Sequence, residues 1–349
     1  MSIERSEVPA GAEAITAEWL HSILPDREMP DEAKVQVSRI GEGYGLASEL
    51  FRVRLRDVRD ADSVVVKLWE LVPGGADMRE IHFFRTFGDR ISIRTPRCLY
   101  TAADEGQRRA VLVLEDIGSG EQGDVLTEIP PVRSAALART LGRLHGDWWG
   151  RAELDAEEWL PVAPRVDRAS AWFGERREIF LDRFGDRLDG PTRNLVGHPE
   201  PVHAYAVSRL QGAPRTLLHQ DLHLDNVLFD PETDEPILLD WARVAKGPAV
   251  IDLAELVFSI APTHEDELIG VYLESLRERG VGAVDEEELM VQLGAALLLL
   301  FLRSTFGVAL WEPTTTRETR MIERSVVRSV EAVDRWLSRD PSAGPPERS

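Results

Sequence analysis

One stretch constrains the fold of this chain more than any other: residues 217–253, L-L-H-Q-D-L-H-L-D-N-V-L-F-D, then P-E-T-D-E-P, then I-L-L-D-W-A-R-V-A-K-G-P-A-V-I-D-L. It reads as a loop, a short strand, a turn and a second strand. His219, Asp221, His223 and Asn226 crowd the loop, and Asp240 closes the second strand. Antiparallel strands bring their outer ends side by side, so this pattern is expected to gather Asp221, Asn226 and Asp240. Two carboxylates and one amide oxygen suit a hard, oxygen-seeking cation and a phosphate.

The 349 residues suffice for about two domains. A formal net charge of −20, from 41 basic and 61 acidic side chains, argues against nucleic acid or an anionic membrane as the main partner. The single cysteine, Cys98, allows no intrachain disulfide; it reads as a core thiol and fits a cytoplasmic location. The N-terminus has no signal-peptide apolar run. The most apolar segment, 293–302, ends at Arg303; it is too short to span a bilayer and reads as a buried helix. The tail, 340–349, is expected to be disordered. Oligomeric state is not legible.

Residues 35–40, 50–55 and 63–68 alternate like strands, with a glycine-rich turn, Gly41-Glu42-Gly43-Tyr44-Gly45, between the first two. A short helix led by Thr16 precedes them. A helix over 77–87 and strands at 98–100 and 110–114 follow. After a linker at 115–120 the pattern turns helical: 132–149, with Leu137, Leu141 and Leu144 inward, then 169–188, 200–210, 253–260, 265–279, 286–306 and 315–337. The expected fold class is α+β, with a β-rich lobe over 1–117 and a helical lobe over 118–339 that carries the central hairpin.

Glycines at 41 and 43 let backbone N–H groups approach a phosphate; a plain hairpin turn is the alternative. Lys67 ends V-V-V-K on the third strand, either at the inner edge of a cleft or as a strand-end charge. The order glycine turn, strand lysine, acid on a helix favours the cleft, with Glu80 as the acid. Glu80 also stands at capping-box spacing from Asp77, and a glutamate folded back onto its cap cannot reach the lysine. Glu115 and Ile117, after the strand A-V-L-V-L, sit where backbone groups can meet an adenine. H-x-D-x-x-x-x-N places an acceptor carboxylate, Asp221, and a metal-binding amide, Asn226, on one loop, with Asp240 one hairpin later. His219 is expected to fix the loop by hydrogen bonds, and His223 likewise; a zinc site on H-x-D-x-H lacks a third soft ligand. Asp252 either caps the following helix or braces the loop.

These motifs resemble the aminoglycoside phosphotransferase and choline kinase superfamily, relatives of protein kinases. H-Q-D-L-H-L-D-N-V-L-F and L-L-D-W are similar to its catalytic and metal motifs. G-E-G-Y-G-L-A-S-E-L-F-R-V-R-L, V-V-V-K-L, E-I-H-F-F, V-L-V-L-E-D-I and L-G-R-L-H-G-D-W-W resemble its ecdysteroid-kinase-like branch, over about residues 15–257. The resemblance implies a protein-kinase-like two-lobed fold that moves the γ-phosphate of ATP, with Mg²⁺, to a hydroxyl of a small molecule. Lys67 aligns with the phosphate-binding lysine, Glu80 with its helix partner, Asp221 with the catalytic aspartate, and Asn226 and Asp240 with the metal ligands. Gln220 replaces a glycine usual in the antibiotic kinases, at an expected small cost, and Gly45-Leu46 look like extra residues in the nucleotide loop. Asp240-Trp241 differs from the Asp-Phe-Gly of protein kinases, so a protein substrate is not expected.

The acceptor is less legible. Trp148, Trp149, Trp172, Trp241, Glu255, Trp311 and Glu312 are candidate substrate contacts; an aromatic and acidic pocket suits an amine, whereas scattered tryptophans are commonly core. Three functions stay open: a kinase for an antibiotic, sugar, steroid-like or other alcohol; a choline or amino-alcohol kinase; and a catalytically silent nucleotide- or ligand-binding protein.

Overall fold

A computed structural model describes residues 8–25, 34–41, 48–56, 63–72, 78–164, 169–259, 264–282 and 284–339. Gly43, the rest of the turn at 42–47, Asp77 and the 340–349 tail lie outside them. The chain divides into two compact units: residues 1–121 with 237–243, and 122–236 with 244–349. The seven residues around Asp240 thus belong by packing to the first unit.

The first unit holds a five-stranded antiparallel sheet in the order β1-β2-β3-β5-β4. Its strands are β1 (Lys34–Ile40), β2 (Glu49–Arg56), β3 (Ser63–Glu70), β4 (Cys98–Asp104) and β5 (Arg109–Glu115). β1 pairs with β2 from Lys34↔Arg56 to Ile40↔Leu50, the antiparallel pairing expected about the glycine turn. Helix α1 (Ala17–Ile23) precedes the sheet, and the Thr16 hydroxyl caps it by accepting the Trp19 N–H at 3.1 Å. Trp19 and Leu20 of α1 pack on Val64, Val66, Leu68, Val111 and Val113. Side chains alternate across a strand, so Lys67 points to the other face. Helix α2 (Arg79–Thr86), between β3 and β4, buries Ile81, Phe83 and Phe84.

The second unit is mainly helical: α3 (Pro131–Trp148), α4 (Glu153–Ala156), α5 (Ala169–Phe184), α6 (Gly190–Gly197), α7 (Pro199–Leu210), α8 (Val250–Ser259), α9 (Glu265–Glu278), α10 (Glu286–Val308) and α11 (Thr316–Arg339). Short strands β6 (Glu121–Gln122) and β9 (Pro236–Leu238) lie where the chain passes between units. β7 (Arg215–Leu218) enters the loop, β8 (Val227–Phe229) leaves it, and β10 (Ala245–Pro248) pairs antiparallel with β7. Neither α6 nor this second pair is among the elements expected from the sequence.

α3 buries Leu137, Leu141 and Leu144 and packs against α9. Gly142 permits that approach: a Cβ there would stand 2.6 Å from Ser275 Cβ and 2.8 Å from the Tyr272 carbonyl. α10 is capped by Asp285, which accepts N–H bonds from Glu287 and Glu288 at 3.0 and 3.1 Å. It is the one described helix long and apolar enough to cross a membrane, yet Leu293, Leu297, Leu298, Leu300, Phe301 and Leu302 are buried against α7, α8 and α11. The apolar run is core, as expected.

Candidate active site

In the first unit the site is built around Lys67. Its Nζ lies 2.7 Å from Glu80 Oε2 and 3.1 Å from Asp240 Oδ2. Lys67 and Glu80 side chains are 8% and 3% exposed, Asp240 37%. Burial alone would strip the lysine of its proton; the Glu80 and Asp240 carboxylates outweigh it and hold the ammonium charged, above the usual lysine range. Glu80 therefore reaches the lysine and does not turn back to cap α2, whose N-cap Met78 makes no side-chain cap bond. The other Glu80 oxygen accepts the Trp241 N–H at 3.3 Å, which ties the residue after Asp240 to α2. Asp240 adopts φ 57°, a left-handed conformation that turns its carboxylate out of the strand direction.

Trp241 is not placed to meet a substrate. It is fully buried and stacks on Phe83 at 4.0 Å with 7° between planes, and its indole N–H donates to Thr95 Oγ1 at 3.1 Å. Thr95 in turn donates to the Leu238 carbonyl at 2.9 Å, so Asp240 sits between two anchored residues. Gly41 has φ 71°, and a Cβ there would meet Leu50 at 3.1 Å, so this position of the turn demands glycine. Glu115 spends its N–H on the Arg97 carbonyl at 2.9 Å and its carboxylate on Arg94 at 3.2 Å. The Ile117 carbonyl closes a turn to Gly120 at 2.8 Å.

In the second unit the loop between β7 and β8 carries Asp221, 28% exposed at its side chain. Asn226 is 7% exposed; its amide nitrogen lies 3.0 Å from the Asp221 carbonyl, 3.3 Å from Asp221 Oδ2 and 3.1 Å from His223 Nε2. The amide oxygen is thereby turned away from Asp221. His219 is fully buried, and its Nδ1 accepts the Asp221 N–H at 3.3 Å. Burial works to deprotonate His223, but the hydrogen bond and charge of Asp221 prevail and raise its pKa.

The loop rests on α8. Asp252, fully buried, accepts the His219 N–H at 2.6 Å and the Gln220 N–H at 2.9 Å, and lies 3.3 Å from His145, whose other ring nitrogen meets the Tyr272 hydroxyl at 2.9 Å. It braces the loop. Glu255, one turn later, accepts the Leu222 N–H at 2.8 Å and pairs with Arg303 at 2.6 Å. At 4% exposure its carboxylate is spent inside the fold, which removes it from the substrate contacts expected of it. Gln220 has φ 62°; a left-handed side-chain-bearing residue costs roughly 1 kcal/mol or more, so the replacement of glycine is not cheap.

Three partners escaped the sequence reading. Arg317 of α11 holds Asp225 at 3.0 Å and Asp124 at 2.9 Å, and Asp225 also takes the Val125 N–H at 2.8 Å, which pins the residue beside Asn226. Arg303 left one signal, a lone charge closing an apolar helical run. His145 and Arg317 left none. Trp148 is core; Trp149 and Trp172 are half-buried, the latter packed on Phe173 and Phe306. Trp311 is half-buried, its carbonyl taken by Arg183 at 3.1 Å, and Glu312 is exposed.

Solved structures share this fold. An ethanolamine kinase from Plasmodium vivax superposes with a TM-score of 0.56 at 13% identity, covering 95% of this chain and 93% of that one. A choline kinase from Cryptosporidium parvum Iowa II gives 0.56 at 14% identity, covering 93% and 97%. The GDP complex of wild-type aminoglycoside 2'-phosphotransferase-IIIa gives 0.54 at 15% identity, covering 90% and 96%. No curated protein matches the chain. Residues 45–286, well over half of the sequence, match the phosphotransferase enzyme family, and the chain belongs to that family.

Proposed function

We propose that the protein transfers the γ-phosphate of ATP to a hydroxyl of a small molecule. The observation that supports this most is Lys67: one buried ammonium held by a buried glutamate and by the partly open Asp240. A lysine so fixed presents charge to phosphate oxygens without losing its proton. Asp240 and Asn226 would hold Mg²⁺. One carboxylate and one amide oxygen fit a cation that draws its remaining ligands from phosphates and water. The loop motif H-x-D-x-H supplies two histidines and no cysteine, a donor set poorer for zinc than for a hard cation. The metal's contribution when bound is to neutralise charge on the phosphates.

Asp221 would accept the proton of the acceptor hydroxyl or orient it. Loose phosphoryl transfer asks for reach and alignment more than basicity, and the Asp221 carboxylate, 28% exposed, is open enough to meet an acceptor hydroxyl. Gly41 opens the turn that would cover the phosphates, and the Glu115 carbonyl and Ile117 N–H, the backbone groups there not spent on Arg97 and Gly120, would take the adenine. Glu255 is occupied by Arg303 and Trp241 is buried, which takes two groups from the aromatic and acidic pocket a cationic amine would need, and the acceptor class remains a hydroxylated small molecule. The single thiol fits the cytoplasm.

The test is Mg²⁺-dependent consumption of ATP, with GTP alongside, over sugars, antibiotics, sterols and amino alcohols, read by phosphorylated product. The Asp221→Asn variant is expected to lose turnover and keep nucleotide binding. Nucleotide binding with no acceptor phosphorylated would make the protein a silent binding module, and unchanged turnover in Asp221→Asn would remove the base from the mechanism.

A further inference from the structure

We infer that the Glu255–Arg303 ion pair is a positioning device that clamps the backbone on both sides of Asp221; this rests on the reading of Asp221 as the acceptor-side residue. Glu255 takes the Leu222 N–H at 2.8 Å, just after Asp221. Arg303 donates to the Gln220 carbonyl at 3.3 Å, just before it. The two side chains meet at 2.6 Å, so one ion pair grips the peptide groups that flank Asp221. Asp252, three residues before Glu255 on the same face of α8, holds the His219 and Gln220 N–H groups. α8 thus supplies two carboxylates for the loop's donors, and Arg303 from α10 supplies the cation for the loop's carbonyl.

The clamp has a specific load to carry. Gln220 is left-handed at φ 62°, a conformation that glycine adopts freely and glutamine resists. Release of its carbonyl allows it to relax, and relaxation rotates the next residue, Asp221. An ion pair with its carboxylate buried and its guanidinium 37% exposed is weak evidence for stability, since desolvation of the carboxylate offsets attraction. Its value here lies in direction: the pair fixes where the Asp221 carboxylate points.

The experiment combines amide hydrogen exchange over 219–222 with turnover, in Arg303→Met, Glu255→Gln and the surface control Arg187→Met, whose partner Glu323 is half exposed. Exchange over 219–222 is expected to rise ~10-fold or more in the first two variants, beyond any change elsewhere in the chain. Their kcat is expected to fall ~10²-fold with the nucleotide KM within about 2-fold, the signature of a misaligned group. Gln220→Gly in the Arg303→Met background is expected to recover roughly 3- to 10-fold in kcat, because glycine holds the left-handed turn unaided. An exchange rise spread evenly over the chain, or the same effect of Gln220→Gly with and without Arg303, overturns the clamp. A local exchange rise in a protein whose wild type phosphorylates nothing supports the clamp and overturns the role of Asp221 in transfer.

Discussion

Lys67 and Asp240 form a 3.1 Å ion pair in which the lysine is buried and the aspartate is 37% exposed. Because Glu80 holds the same ammonium from its buried side, the lysine has one satisfied face and one face turned to a carboxylate that water can reach. Lys67→Met removes the cation from between two carboxylates. It is expected to cost about 3 kcal/mol of stability, the cost of breaking a buried pair, and to abolish detectable phosphotransfer. The double variant Lys67→Met/Glu80→Gln, which keeps an acceptor for the Trp241 N–H, is expected to regain most of the stability and none of the activity. Recovery of both in the double variant would show Lys67 to be structural.

Trp241→Phe tests the placement of the indole. Phe keeps the stack on Phe83 and loses the bond to Thr95. A loss of about 1–2 kcal/mol in chemical denaturation is expected, with the ranking of acceptor alcohols unchanged. A changed ranking would return Trp241 to the acceptor pocket.

How much of this could be read from the chain follows from the physics of each residue. Lys67 lay legible at the end of three β-branched residues, since strand alternation decides its face. The closeness of Asp221 and Asn226 was legible because one short loop carries both, and they meet at 3.3 Å. Glu80 was ambiguous: capping and ion pairing ask for the same residue at the same place, and the choice lay with β3, outside the helix. Trp241 and Glu255 were misread as open to substrate, because burial depends on partners far away in sequence, Phe83 and Arg303. The strain at Gln220 was underestimated because φ has no sequence signature at a residue other than glycine.

Cys98 should be chemically quiet. Burial pushes its thiol up to about 12, so at pH 8 its thiolate is roughly 10³-fold scarcer than that of a free cysteine. Alkylation of the native protein by iodoacetamide is expected to be slower than that of the denatured chain by about that factor. Equal rates in the two states would place the thiol in an open, ionisable setting.

The Asp189–Asp334 pair gives stability a definite dependence on pH. Asp189 caps α6 through the Thr192 N–H at 2.8 Å, and the Asp334 carboxyl of α11, when it carries its proton, can donate it to Asp189 as a shared proton. Burial and then the hydrogen bond and charge of Asp189 push the Asp334 carboxyl up to about 6. A folded-state value above the unfolded one means that the folded protein binds this proton more tightly. The Asp334 contribution is therefore present below about pH 4 and is lost as pH rises to about 6 and beyond, whereas Asp189, burial opposing but the bonds from Thr192 and Asp334 holding it below the usual carboxylate range, loses its contribution as pH falls further. Asp334→Asn keeps a neutral donor at every pH. It is expected to raise the melting temperature by ~1–2 °C at pH 7.5, where the wild type sets two carboxylates against each other, and to give no gain at pH 4.5, where Asp334 already carries its proton. Because Asp189 is exposed, salt should shrink the gain at pH 7.5. A gain of the same size at both pH values would mean that the asparagine acts through packing, and the shared proton would have no part in it.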